Sequence, residues 1–157
     1  MVSLWLCRCE ESKETAHRML HTLLEGRGCS PASIETAPGG KPFLPGGPYF
    51  SLSHSGPWAL CAVGEEEMGC DVETIRPRRS GLPRYALSDR EFQWFSQRGG
   101  AWEDFYTHWT LKESLCKCTG RGLDCSPRRL EVPLLQAGEG GIWDGFYFQS
   151  YGGEGWR

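Results

Sequence analysis

The sequence predicts an α+β fold. Three observations carry that prediction. Residues 49–53 and 58–63 are apolar runs of strand length, and residues 11–25 and 101–119 have the length and spacing of helices. Twenty-one glycines and ten prolines imply many turns and short elements.

In order along the chain, residues 1–9 read as a short strand. Ser12 is an N-cap candidate for a helix over 11–25, which Gly26 ends. Ser30-Pro31-Ala32-Ser33 is a turn, and 34–37 a short strand. Pro38-Gly39-Gly40 and Pro45-Gly46-Gly47-Pro48 mark two loops around Lys41-Pro42-Phe43. Strands at 49–53 and 58–63 flank a loop, Ser53-His54-Ser55-Gly56-Pro57. Residues 68–73 read as another strand. Arg76-Pro77-Arg78-Arg79 and Ser80-Gly81-Leu82-Pro83 form a link between two halves, about 1–76 and about 80–157, of a single domain. Ser88-Asp89-Arg90-Glu91 has capping-box spacing and opens a helix to about Gln97. Gly99-Gly100 breaks it, and a long helix follows over 101–119. Gly120-Arg121-Gly122 closes that helix. Residues 130–132, 141–143 and 146–151 read as strands with glycine-rich turns. Each half runs helix then strands, a pattern compatible with a diverged duplication.

Composition removes several function classes. A net charge of −3 speaks against a mainly electrostatic nucleic-acid binder. No apolar run approaches the length of a membrane span, and no signal-peptide pattern opens the chain. The expectation is a cytoplasmic protein without a membrane or nucleic-acid partner. Eight cysteines include Cys7-x-Cys9 and Cys116-x-Cys118, with Cys29, Cys61, Cys70 and Cys125 scattered. None has zinc-finger spacing, and with no secretion signal read in the sequence reduced thiols are expected.

The chemistry concentrates in two acidic segments. Asp71 and Glu73 stand at i and i+2, which puts both carboxylates on one face of a strand. Glu113 and Lys117 stand at i and i+4 on a helix. Taken singly, each segment suits a solvated surface, and an exposed Glu113–Lys117 pair is worth a few tenths of a kcal/mol, about 0.3–0.5. The flanks alter this. Met68, Cys70 and Val72 surround the first acids, and Trp109, Leu111 and Leu115 surround the second. Acids in apolar segments are costly unless paired or bound to metal. Three carboxylates meeting one lysine would suit Mg2+ beside a phosphorylated substrate. Ser53, His54, Lys41 and Arg18 supply further hydroxyl and cationic groups, although each alone is an ordinary polar surface residue.

Three stretches together resemble a 4′-phosphopantetheinyl transferase of the surfactin-synthetase-activating type. Gly40-Lys41-Pro42 with residues 50–58 resembles its substrate-side loop and strand. Gly69-Cys70-Asp71-Val72-Glu73 resembles its Gly-Ile-Asp-Ile-Glu segment. Trp109-Thr110-Leu111-Lys112-Glu113-Ser114 with Lys117 resembles its Trp-x-x-Lys-Glu helix, and Gly120-Arg121-Gly122-Leu123 the glycine turn after it. Ala16-His17-Arg18 is a weaker match. The similarity runs from about Ala16 to Val132.

The resemblance implies two similar α+β halves around a pseudo-twofold axis, with the active site in the cleft between them. It implies transfer of phosphopantetheine from coenzyme A to a serine of an apo acyl or peptidyl carrier protein. Asp71, Glu73 and Glu113 would hold Mg2+, and Lys117 would contact phosphate. Glu113 would be either a metal ligand alone or also the base that deprotonates the serine. Ser53, His54, Lys41 and Arg18 would bind the phosphates of coenzyme A, and Lys112 would orient the site or bind phosphate. The chain departs from the pattern at its ends. The region before Ala16 is short, with Lys13 the one candidate for the family's basic residues there, and a final apolar strand is missing after Tyr151. Weaker coenzyme A binding and an open sheet edge are the expected consequences. A monomer is the family expectation, and a homo-oligomer is compatible with the open edge. Two other classes compete: a coenzyme A or carrier-protein binder without turnover, and a metal-dependent nuclease. The second fits poorly with a net acidic chain and with Lys117 at helical spacing from Glu113.

Overall fold

A computed structural model describes residues 1–122 and 126–157. The fold is α+β. The chain divides into two compact units: Met1–Val72 with Glu113–Gly122, and Glu73–Lys112 with Leu123–Arg157.

In the first unit, β1 (Ser3–Arg8), β4 (Tyr49–Ser55) and β5 (Trp58–Gly64) form an antiparallel sheet in the order β1-β5-β4. The register pairs Leu52 with Cys61 and Trp5 with Cys61, so β5 is central. Alternation puts Phe50, Leu52, Ala59, Cys61 and Val63 on one face. Helix α1 (Ser12–Glu25) covers that face with Ala16, Met19, Leu20, Leu23 and Leu24. These stand at i, i+3, i+4, i+7 and i+8, an apolar stripe of helical period. Fully burying each leucine contributes about 1.5–3 kcal/mol. Ser12 is the first helical residue rather than the cap. Glu11 occupies the cap position without a side-chain bond, and Gly26 keeps a right-handed φ of −62°.

The expected loop at 53–57 shrinks to Gly56-Pro57, because Ser55 already pairs with Trp58. Gly56 has φ +52°, the sign a type II′ turn requires at its first central residue. Ser53, His54 and Ser55 therefore lie in β4. The strand expected at 34–37 is only β2 (Glu35–Thr36), and its partner β3 (Pro42–Phe43) lies where a loop was expected. The strand expected at 68–73 is absent. Residues 69–72 make no main-chain ladder, for a reason given below, and Glu73 instead exchanges both backbone hydrogen bonds with Arg157.

In the second unit, α2 (Leu82–Ala86) forms inside the expected link, with Pro83 in its first turn, where a missing N–H costs nothing. Helix α3 (Asp89–Gln97) opens with the expected capping box. Ser88 accepts from the Glu91 N–H, and Glu91 accepts from the Ser88 N–H. Helix α4 (Trp102–Thr119) begins in this unit. Phe105 to His108 and Thr110 to Lys112 are all buried, so this stretch has no single apolar stripe. Its polar side chains bond back along the helix, Thr107 to Glu103 O and Thr110 to Tyr106 O. Phe105 and Tyr106 pack with Leu87 and Phe95. Strands β6 (Gly140–Trp143) and β7 (Phe146–Gln149) form a hairpin whose two turn residues, Asp144 and Gly145, both have positive φ. The strand expected at 130–132 is irregular chain that follows a single 3-10 turn, Pro127–Arg129.

Every described cysteine is a free thiol. Burial pushes Cys61 up to about 12 and Cys70 up to about 11, so neither ionises near neutrality. Cys125 and Leu123 lie outside the described residues.

Candidate functional site

The site begins with three serines at alternate positions of β4. Ser51 and Ser53 are buried on the face opposite α1. Residues 69–72 run beside them without a main-chain ladder. The Cys70 N–H donates to Ser51 Oγ at 3.0 Å, and the Val72 N–H donates to Ser53 Oγ at 3.2 Å. Cys70 Sγ donates to Ser51 O at 3.2 Å. Two hydroxyls two residues apart thus stand in for the carbonyls of a neighbouring strand. Side-chain alternation in the sequence could not reveal that the backbone partners of Cys70 and Val72 are side chains.

Asp71 sits between those two amides. Ser53 donates to Asp71 Oδ1 at 2.7 Å, and Lys117 Nζ donates to the same oxygen at 2.7 Å. Lys117 also donates to Leu52 O at 3.2 Å. The Asp71 side chain is 7% exposed, against 33% for Lys117. Its other oxygen, Oδ2, is buried and meets no hydrogen-bond partner among the described residues. Burial pushes the Asp71 carboxyl above its ordinary range, and Lys117 and Ser53 oppose that push.

Gly69 makes this approach feasible. A Cβ there would run into Ser114 O and the Cys118 N–H, both backbone groups of α4. The glycine is needed for space, not for an unusual φ. One turn on, Lys41 Nζ donates to Cys118 O at 2.6 Å and so caps the carbonyl end of α4. Gly120 and Gly122 follow with φ of +68° and +64°.

The structure therefore joins Ser53, Asp71 and Lys117, with Lys41 at the end of the same helix. Glu113 lies on α4 four residues before Lys117. Glu73 exchanges both backbone hydrogen bonds with Arg157. His54 is exposed, on the opposite face of β4 from Ser53. Arg18 is exposed on α1 and bonded to Thr15 Oγ1 at 3.0 Å. Lys112 is fully buried. Its ammonium pairs with Glu91 Oε2 at 2.6 Å and donates to Pro127 O at 2.9 Å and to Leu130 O. Those three acceptors match its three N–H groups. Burial pushes its pKa below the ordinary lysine value, against the pull of Glu91. Sequence reasoning missed Ser51, Glu91 as the partner of Lys112, and the helix end that Lys41 caps. The signal for Ser51 was present, since Ser51, Ser53 and Ser55 recur with strand period in an otherwise apolar strand.

Among the described residues, no three His, Cys, Asp or Glu side chains are gathered as a metal centre. The donor chemistry nevertheless suits a hard cation. Asp71 Oδ2 is a buried carboxylate oxygen without a hydrogen-bond partner among the described residues, and such an atom is costly unless something binds it. No helix among the described residues is long and apolar enough to cross a membrane.

Residues 67–146 match the family model of the 4′-phosphopantetheinyl transferase superfamily. The chain is 31% identical over 145 residues to a 4′-phosphopantetheinyl transferase of Bacillus subtilis, covering 84% of this chain and 65% of that protein. It is 37% identical over 110 residues to the 4′-phosphopantetheinyl transferase psf-1 of Bacillus pumilus, covering 68% and 47%. It is 35% identical over 119 residues to the L-aminoadipate-semialdehyde dehydrogenase-phosphopantetheinyl transferase of Xenopus laevis, covering 64% and 39%. The chain thus spans just under two thirds of the Bacillus subtilis relative and less of the others.

Proposed function

The chain belongs to the 4′-phosphopantetheinyl transferase superfamily, and from that premise we propose that it transfers the 4′-phosphopantetheine group from coenzyme A to a serine hydroxyl of an apo acyl or peptidyl carrier protein. The reaction would depend on Mg2+ and release 3′,5′-ADP. The observation that carries this reading is Asp71, held on one oxygen by Ser53 and Lys117, its other oxygen buried without a hydrogen-bond partner among the described residues.

Asp71, Glu73 and Glu113 are the proposed Mg2+ ligands. When bound, the ion supplies charge neutralisation at the pyrophosphate of coenzyme A. Lys117, already within reach of Asp71, offers a cation to the same phosphates and stabilises charge that develops on them. Glu113 either holds the ion alone or also takes the proton from the carrier serine, so that the alkoxide attacks the β-phosphorus. His54, Lys41 and Arg18 are the proposed partners of the coenzyme A phosphates. Of the two roles open to Lys112, orientation is supported by its burial, since its three N–H groups already have acceptors. Two similar halves, a cytoplasmic location and a monomeric state are carried as part of this proposal and rest on the resemblance.

Intact-protein mass spectrometry tests it. The purified chain is incubated with coenzyme A, Mg2+ and a panel of apo carrier proteins. A phosphopantetheine mass gain on a carrier is expected, and Glu113→Gln is expected to abolish it. No gain on any carrier, together with no coenzyme A binding, overturns the proposal. No gain with retained tight, Mg2+-dependent coenzyme A binding would favour a carrier partner outside the panel over a binding protein of the same family.

A further inference from the structure

Ser53 has one proton and two lone pairs, and its geometry commits the proton to Asp71. One lone pair receives the Val72 N–H. A phosphate oxygen of coenzyme A offers only lone pairs, so binding it would require the same proton. Ser53 can serve Asp71 or a phosphate, but not both at once. Three features favour Asp71. The Ser53 side chain is buried rather than presented on the surface. Its O–H to Asp71 Oδ1 distance of 2.7 Å is that of a strong bond to a carboxylate. Ser51 makes the matching bond to the Cys70 N–H two residues earlier, which sets the register of the whole 69–72 segment on β4.

We propose that Ser53 is a positioning residue for Asp71: with Lys117 it fixes Oδ1 and keeps Oδ2 available as the ligand oxygen for a divalent cation. This rests on the metal-dependent reading above. Ser51 aligns the segment, Ser53 orients the carboxylate, and Lys117 balances its charge. A carboxylate with one oxygen pinned by two donors has lost most of its torsional freedom before the cation arrives. Supporting groups of this kind are typically worth about 10–100-fold in metal affinity.

The test uses Mn2+ as a paramagnetic probe, titrated into the full chain without coenzyme A and followed by electron paramagnetic resonance. Coenzyme A affinity is measured separately by calorimetry in chelator. Ser53→Ala is expected to weaken Mn2+ binding about 10–100-fold and to leave metal-free coenzyme A affinity within about twofold of wild type. The reverse pattern, wild-type Mn2+ affinity with reduced metal-free coenzyme A affinity, makes Ser53 a phosphate ligand and overturns the proposal. Ser53→Cys keeps a weak donor of similar size and is expected to fall between wild type and alanine. It also carries the test if Ser53→Ala fails to fold, and wild-type Mn2+ affinity in Ser53→Cys then counts against the proposal. Asp71→Asn separates the premise from the inference. If that variant keeps Mn2+ affinity, the metal reading at Asp71 is wrong. If it loses affinity while Ser53→Ala does not, only the role of Ser53 is wrong.

Discussion

Gly69 is the residue on which the first unit's site geometry turns. Its φ is one that any residue adopts, so conformational freedom does not explain it. The explanation is contact: a methyl group at this position meets Ser114 O and the Cys118 N–H, and neither backbone group can swing aside. The 69–72 segment would have to lift from α4, taking Asp71 away from Lys117. Overpacking of this kind typically costs about 1–3 kcal/mol. Gly69→Ala is expected to lower the urea unfolding midpoint accordingly and to weaken the Asp71–Lys117 pair. A midpoint equal to wild type would show that α4 and the segment have slack that the distances do not suggest. Gly39 shows a milder form of the same approach, with its would-be Cβ 3.1 Å from Gly120 O.

At the scale of elements, α3 and α4 of the second unit are joined through one carboxylate. Glu91 accepts from the Ser88 N–H, the Val132 N–H and the Lys112 ammonium, all without solvent. Removing one member of a buried ion pair leaves the other charge uncompensated, at about 3–5 kcal/mol. Glu91→Ala is expected to cost that much in chemical denaturation. Ser88→Ala, which removes only the cap hydroxyl, is expected to cost about 1 kcal/mol. Equal losses would mean that the Lys112 pair contributes nothing beyond the cap. The same carboxylate shows where sequence reading stops. The capping box was legible because both residues are local and three apart. The end of α1 at Gly26 was legible for the same reason. Residues 68–73 and 130–132 were read as strands because their side chains alternate or are apolar. At Cys70 and Val72, and again around 130–132, side chains have taken over partners of the backbone. Ser51 and Ser53 accept the amides of Cys70 and Val72. Lys112 takes the carbonyls of Pro127 and Leu130, Glu91 takes the Val132 amide, and Arg90 donates to Val132 O. Periodicity reports which way side chains point, not which group satisfies the main chain. For the site, the sequence exposed Asp71, Ser53 and Lys117 as residue types at telling positions. It did not reveal that Ser53 faces Asp71, because that contact joins residues eighteen apart through a segment outside any ladder.

For the whole molecule, His108 contributes a loss of stability in mild acid. The ring is fully buried on α4, edge-on to Trp94 at 4.8 Å. Nδ1 lies 3.1 Å from Asp104 O. A carbonyl can only accept, so Nδ1 carries the proton and Nε2 is the bare nitrogen, with no partner among the described residues. Burial pushes the His108 pKa below its ordinary value, with Asp104 and Glu91 opposing and Lys112 adding to the push. The sign follows from linkage. In the unfolded chain the imidazole takes its proton near pH 6.5. In the folded chain it does so only at lower pH. Between those two values the unfolded state binds more protons, so stability falls as pH is lowered through the window. Below the folded pKa the loss stops growing. Asp71 acts in the opposite sense, because its raised carboxyl pKa lets the folded state hold a proton that the unfolded state has released. The wild-type slope therefore mixes the two effects, and the comparison with a variant is the useful readout. Urea unfolding of His108→Gln from pH 8 to pH 5 is expected to show a flatter profile than wild type just below pH 6.5, even if the variant is less stable throughout. Parallel profiles would mean that the imidazole accepts its proton without loss in the folded state, and that Nε2 then finds an acceptor as the chain relaxes.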